Sequence, residues 1–339
     1  MELHVYKKPD KKWDNFVNRN SPLIFHTRIW QRVLSKGFKN GQSLYYTLED
    51  NSGEIVLALP GVLLNFRLFN VFYSLPASYG GFIGDYRYIK KFFSVWYDEI
   101  INEEIDYIQI TESPFRPLSL NDFSYDVITT VVHIMRIENL TKDKLWKGYK
   151  KTVRRMIRKA KKSNVKISKI SSREEVPIFY RMYLESMKRN RAPVKYPVDL
   201  YYAIYDELVL KNKAQILFAK IDGNYIAGLI YILSNGIIHY FAGGSFTKYL
   251  KLCPNDMLFH SAIEHGIENK CRYFDFMASP KDDTNLQRYK AKWGSKSLEL
   301  STYTKEINKK RCLIMKIARY VSNTTIGRKF IEHFRKMAR

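Results

Sequence analysis

The sequence predicts an α+β protein of two domains, each a mixed and mainly antiparallel sheet flanked by helices, followed by a basic helical tail. Three observations lead there. The chain has 339 residues, 45% of them apolar and 15% aromatic, which exceeds one modest core and excludes wholesale disorder. Runs with strand periodicity alternate with helical periodicity along its length. Three apolar runs between residues 214 and 244 are separated only by Asp222-Gly223-Asn224 and Asn235-Gly236. These are the strongest short hairpin signals, because type I′ turns need the positive φ that Gly and Asn tolerate. The expected boundaries are 1–138 for the first domain, 139–304 for the second and 305–339 for the tail.

In the first half, Phe25–Lys36 reads as a helix, and "SLYYTLED" and "EIVLALPGVLL" as strands about the Asn51-Ser52-Gly53 turn. The Pro/Gly-rich "LPASYGGFIGD" at 75–85 follows, and Tyr88–Ile100 has the spacing of an aromatic helix. The runs "IDYIQIT" at 105–111 and "DVITTVVHIMRI" at 126–137 are rich in β-branched residues and read as strands.

In the second half, residues 141–163 read as one helix, because Leu145, Tyr149, Val153, Met156 and Ala160 recur at spacings of three and four. Its other faces carry Lys147, Lys150, Arg154, Arg155, Arg158 and Lys159 among other bases. After the strand "VKISKI", helices are expected over about 173–190 and 198–211, the second opening just after Pro197 with Asp199 in its first turn. Strands 214–221, 225–234 and 237–244 then form a meander. A helix at Pro254–Glu268, a strand at 272–277, a short helix at Asp283–Lys290 and a strand at 297–304 complete the domain.

The formal charge of +24 lies wholly in the second half: residues 1–138 hold 15 Lys/Arg against 16 Asp/Glu. Segment 141–170 has 13 basic residues against Asp143 alone, and 305–339 has 11 against Glu306 and Glu332. Such clustering fits a polyanionic partner: nucleic acid, a phosphorylated substrate or an anionic membrane. Cys253, Cys271 and Cys312 are odd in number and form no C-x-x-C pair, so neither a zinc site nor a disulfide framework is expected. His260 and His265, five apart, do not share a helix face as zinc-binding histidines would. No metal is expected. The sequence shows no signal-peptide pattern and no apolar window of spanning length, so a cytoplasmic protein, peripheral at the inner membrane face, is expected.

Three antiparallel strands, helix, strand, helix, strand is the order of the GNAT acyltransferase core. The segments "YKKTVRRMIRKAKKSNVKIS", "FYRMYLESMKRNR", "DGNYIAGLIYIL", "HYFAGGS", "PNDMLFHSAIEHGIENKCRYFDF" and "YKAKWGS" together resemble, over about 141–304, the second domain of Fem-type peptidyltransferases. That is the Fem-like branch of the GNAT superfamily. "IFHTRIW" at 24–30 and "LPASYGG" at 75–81 resemble its first domain more loosely. The resemblance implies tandem GNAT-like domains and amide formation on an amine of a cell-envelope precursor, peptidoglycan or surface glycan. It further implies no tightly bound cofactor and aminoacyl-tRNA as the acyl donor. Alternatives are an acyl-CoA donor acting on an amino sugar or polysaccharide precursor, and a catalytically inactive membrane-surface binding protein.

The resemblance places a catalytic lysine at Lys290, within Tyr289-Lys290-Ala291-Lys292-Trp293-Gly294. Its ammonium would stabilise the oxyanion and protonate the leaving group. Asp275, mid-strand among aromatics, is the second catalytic candidate, orienting the acceptor amine or taking its proton. Arg154, Arg158, Tyr240, Glu185, Lys292 and Trp293 are the substrate-binding candidates. Two features depart from the family. Lys270 and Met277 stand where glycine is usual, and "GGSFTKYLKLCPND" at 243–256 supplies no R/Q-x-x-G-x-G/A loop to cradle a CoA pyrophosphate. In the tail, Leu313, Ile314, Ile317, Ile326, Phe330, Ile331 and Phe334 interleave with bases, which favours an anionic membrane.

Overall fold

The computed structural model describes residues 1–323. In chain order the first half comprises β1 (Glu2–Tyr6), α1 (Lys11–Asn20), α2 (Arg28–Gly37), β2 (Gly41–Glu49), β3 (Ile55–Asn65), β4 (Asn70–Tyr73), β5 (Ile83–Gly84), α3 (Ile89–Asn102), β6 (Tyr107–Thr111) and β7 (Asp126–Arg136). The second half comprises α4 (Lys142–Gly148), α5 (Lys151–Lys162), β8 (Lys166–Lys169), α6 (Val176–Arg189), α7 (Val198–Glu207), β9 (Ala214–Ile221), β10 (Asn224–Ser234), β11 (Ile237–Ser245), α8 (Pro254–Glu268), β12 (Tyr273–Pro280), α9 (Thr284–Ala291), β13 (Lys296–Glu306) and α10 (Lys309–Asn323).

The strands join one continuous sheet in the order β1-β2-β3-β4-β6-β13-β7-β12-β11-β10-β9-β8, with β5 paired to β3. Each half repeats one plan. Four strands run antiparallel, and the fourth then pairs in parallel with the strand that follows a helix: β4 with β6 across α3, and β11 with β12 across α8. The closing strands are exchanged. β7, from the first half, lies against β12 of the second, while β13 returns to β6 of the first. β7 and β13 pair with each other along nine residues, Val132 opposite Leu298. The expected boundary at 138 therefore falls just after a strand that belongs spatially to the second half.

The core spans both halves. Phe25, Trp30 and Leu34 pack in one cluster with Phe179, Tyr201 and Ile230. Beside it Glu207 of α7 accepts from Arg32 Nε at 2.9 Å and Lys36 Nζ at 2.5 Å of α2, and from Lys211 Nζ at 2.9 Å. The two segments quoted for the first half touch each other: Phe25 and Tyr79 are 6.3 Å apart between centroids, and His26 Nε2 lies 3.3 Å from the Gly80 carbonyl.

The meander β9–β10–β11 forms at the expected residues, its turns at positive-φ Gly223 and Gly236. The helix expected over 141–163 is two helices. Tyr149 (ψ 142°) and Lys150 (ψ 148°) are extended between α4 and α5. This break sets Tyr149 against His260 and Trp293, ring centroids 5.7 and 5.4 Å away, while α5 packs on α8. The apolar spacing runs through the break because Leu145, Tyr149, Val153, Ile157 and Ala160 all face one cluster. The tail begins as α10, whose Cys312 and Met315 pack on Val71 and Tyr107. Residues 324–339, with Ile326, Phe330, Ile331 and Phe334, lie outside the described residues.

Candidate functional site

β11 and β12 pair only over Ile237–His239 and Tyr273–Asp275, then part, β11 running on to Ser245 and β12 to Pro280. At the parting β12 bulges: Asp275 faces Ile134 and Ala278 faces Val132, so Phe276 and Met277 together stand opposite His133. Such a bulge turns backbone groups out of the ladder. Here the Met277 backbone adopts φ 58°, in the left-handed region, although the residue is not glycine. Lys270, the other non-glycine position, does the same at φ 53°. The backbone that glycine would favour is thus kept without it.

Lys290 of α9 reaches into this bulge. It is only 3% exposed, and its Nζ donates to the carbonyls of Met277 at 2.8 Å and Ala278 at 3.2 Å. Burial lowers its pKa to about 7, against the opposing pull of Asp275 and Asp283. The lysine is a buried group rather than the end of a surface helix.

Asp275 is fully buried and both its oxygens are engaged. Oδ2 lies 2.8 Å from His239 Nδ1, and Oδ1 accepts from Tyr79 OH at 3.1 Å and from the Met277 amide at 2.8 Å. A carboxylate only accepts, so His239 carries its proton on Nδ1. Its Nε2 lies 2.9 Å from Ser234 Oγ, which accepts from the Ile24 amide. The arrangement orders the parting strands and bolts the first half, through Tyr79 and Ile24, to the second.

The other candidates divide. Tyr240 and Trp293 pack on Phe259, ring centroids 4.8 and 5.7 Å away, and Lys292 lies near the Trp293 ring. Trp293 is core, 1% exposed. Lys292 pairs with Asp256 and lies over the Tyr289 ring at 3.9 Å. Burial raises the Tyr240 phenol to about 12. Glu185 sits apart and accepts from the Thr247 amide at 2.6 Å, a bond that holds its carboxyl below the usual range. Arg154 and Arg158 lie on the outer part of α5, Arg154 donating to the Lys147 carbonyl and Arg158 over Trp146. On the same helix Arg155 and Lys159 act with Lys292 on the Cys253 thiol at the start of α8, although burial and Asp256 raise it overall.

Two residues with no sequence signal join the bulge. His133 and Ser279 are 3% and 1% exposed, and His133 Nδ1 and Ser279 Oγ have no protein partner. Both lie on one face of the β7–β12 ladder, since Ser279 faces Val131, two residues from His133. Burial, then the Lys290 charge, lowers the His133 imidazole. A buried polar atom without a partner is costly unless something fills the place. Among the described residues no group of His, Cys, Asp and Glu is placed to hold a metal ion, and no helix is long and apolar enough to cross a membrane.

Residues 147–291 match the family model described as an acetyltransferase (GNAT) domain. By fold, the chain is similar to a structure described as FemX, at 14% identity with a TM-score of 0.68, covering 91% of this chain and 98% of that one. It is also similar to L-PGS from Bacillus licheniformis (13% identity, TM-score 0.58, 94% and 98% covered). A third is a tandem GNAT protein from the clavulanic acid biosynthesis pathway (12%, 0.58, 90% and 98%). No curated protein matches the sequence. A parallel strand pair in each half, with the acetyltransferase (GNAT) match across the second, gives the chain the tandem build of GNAT acyltransferases. Within that build its fold is like that of the FemX structure.

Proposed function

We propose that the chain transfers an aminoacyl group from aminoacyl-tRNA to an amine of a cell-envelope precursor. The observation that carries the chemistry is Lys290: two of the three ammonium hydrogens are taken by the Met277 and Ala278 carbonyls, which leaves one N–H for a reacting group. A pKa of about 7 makes it a ready proton donor. The acceptor amine attacks the ester carbonyl carbon and a C–N bond forms. Lys290 stabilises the resulting oxyanion, His133 takes the proton lost by the amine, and the ester C–O bond breaks. The leaving ribose hydroxyl regains a proton from Lys290.

Asp275 acts through Met277 and not on substrate, being closed on every side by His239, Tyr79 and the Met277 amide. The basic residues of α5 beside the start of α8, with Lys292, suit a phosphate-rich donor. Acyl-CoA is the second reading, favoured by the family description of the domain. Against it, the 243–256 segment folds as the end of β11, a 3-10 turn over Thr247–Leu252 and a left-handed Cys253, with no glycine cradle.

The test is transfer of radiolabel from a mixture of charged tRNAs, and separately from acetyl-CoA, to nucleotide-linked and lipid-linked muropeptides. Label moving only from acetyl-CoA would replace the donor; label moving from neither would remove the proposal. His133→Gln should flatten the acid limb of the pH–rate profile, and an unchanged profile would take His133 out of the reaction.

A further inference from the structure

Among the described residues, twelve large apolar side chains are exposed, and six gather around α10: Phe66, Leu68, Ile101, Leu313, Ile314 and Ile317. They come from three elements that touch. Phe66 and Leu68 form the tip of the β3–β4 hairpin about left-handed Arg67. Phe66 stacks on Phe69 at 5.1 Å, and Phe69 packs on the Val71, Tyr107, Cys312 and Met315 cluster that seats α10. Ile101, at the end of α3, shares an open groove with Lys309 and Lys310.

The helix itself has two faces. Cys312 and Met315 point inward, and Arg311 and Lys316 are tied to Asp106 and Glu306. At about 100° per residue, Leu313, Ile314 and Ile317 fill the opposite arc, with Lys310 above them and Lys309, Lys316 and Arg311 on the flanks. Leu313 and Ile317 are 58% and 55% exposed and Leu68 is 61%. Arg67 adds a base at the hairpin tip. The acids here are few: Asp106 and Glu306 are paired, and Glu104 lines the groove.

We infer that the hairpin tip 66–68 and the outer face of α10 form one docking surface for an anionic lipid bilayer. Aliphatic side chains ringed by bases enter the boundary between headgroups and acyl chains, while the bases meet lipid phosphates. A nucleic acid would use aromatic stacking rather than Leu and Ile. A second copy would bring two basic rims together against charge repulsion. The inference is independent of the acyl donor.

Full-length protein is sedimented with phosphatidylglycerol-containing vesicles and with pure phosphatidylcholine vesicles, at low and high salt, and its mass in solution is followed by light scattering. Wild type should bind the anionic vesicles at least tenfold better than the neutral ones, and less at high salt. Leu68→Gln, and separately Leu313→Gln with Ile317→Gln, keep every charge, and each should lower binding severalfold with an unchanged melting temperature. Equal binding by wild type and both variants would overturn the surface. So would a solution dimer that the helix variant dissolves, loss of tRNA binding in place of vesicle binding, or no vesicle binding by wild type.

Discussion

Asp275 and Lys290 hold opposite ends of one residue. The Asp275 carboxylate accepts from the Met277 amide at 2.8 Å while Lys290 Nζ donates to the Met277 carbonyl at 2.8 Å, so strand and helix together clamp a left-handed peptide. The carboxylate on the strand thus fixes the peptide whose carbonyl takes a hydrogen bond from the helix lysine.

Lys290→Met should lower turnover by about 10²–10³-fold, the usual loss for one oxyanion donor. Above about pH 10.4, where the lysine is neutral in both states, it should also cost about 1–3 kcal/mol in urea unfolding, because two carbonyls lose their donor. A near-normal rate would exclude Lys290 from the chemistry, and an unchanged unfolding midpoint would show those carbonyls to be solvated.

The same lysine sets a pH dependence. Burial lowers its folded pKa to about 7, while the unfolded value is about 10.4. Between these values the unfolded chain binds the extra proton, so stability should rise with pH across that window and be fully present only above it. Subtracting the Lys290→Met curve from that of wild type should isolate this slope; parallel curves would refute the shifted pKa.

Glu207 works in the opposite pH range. Burial opposes its charge, but hydrogen bonds from Lys36, Lys211 and Arg32 hold its pKa down at about 2. Its contribution should be present above the unfolded value of about 4.3 and vanish as pH falls toward 2. Glu207→Gln should cost about 1–2 kcal/mol at pH 7, reduced because its partners are roughly half exposed, and nothing at pH 2. A loss that persists at pH 2 would mean packing rather than charge.

Lys270→Gly should stabilise the protein by about 0.5–1 kcal/mol. The exposed residue sits at φ 53°, where a side chain costs about 1–2 kcal/mol, partly offset by the entropy glycine loses on folding. Thermal melting checks the sign.

Gly244→Ala should cost about 1–3 kcal/mol, since a Cβ there would meet the Met182 carbonyl carbon and the Tyr183 amide nitrogen, each at 2.4 Å. Backbone cannot turn aside as a side chain can. A melting temperature equal to wild type would show that α6 shifts freely on β11.

Much of the second half was legible because its signals are local. The Asp-Gly and Asn-Gly turns specify β9–β10–β11 within a few residues of themselves, and Pro254 opens α8 where expected. Periodicity misread 141–163 because two helices facing one core keep the same spacing across a break at Tyr149 and Lys150. His133 and Ser279 carry no motif; what marks them is a missing partner, which only coordinates reveal.

The amino-acid sequence by itself determined the order of elements, the meander, the charge asymmetry and the segment holding Lys290, because these depend on residues near one another in the chain. Tertiary structure alone decided that β7 and β13 change places, that Tyr79 reaches Asp275 across 196 residues, and that Lys290 is buried on a bulge opposite His133. Any two β-branched strands can pair, so their choice of partner is set by how the two halves close on a shared core. Burial, and with it the lysine's lowered pKa, follows from that closure.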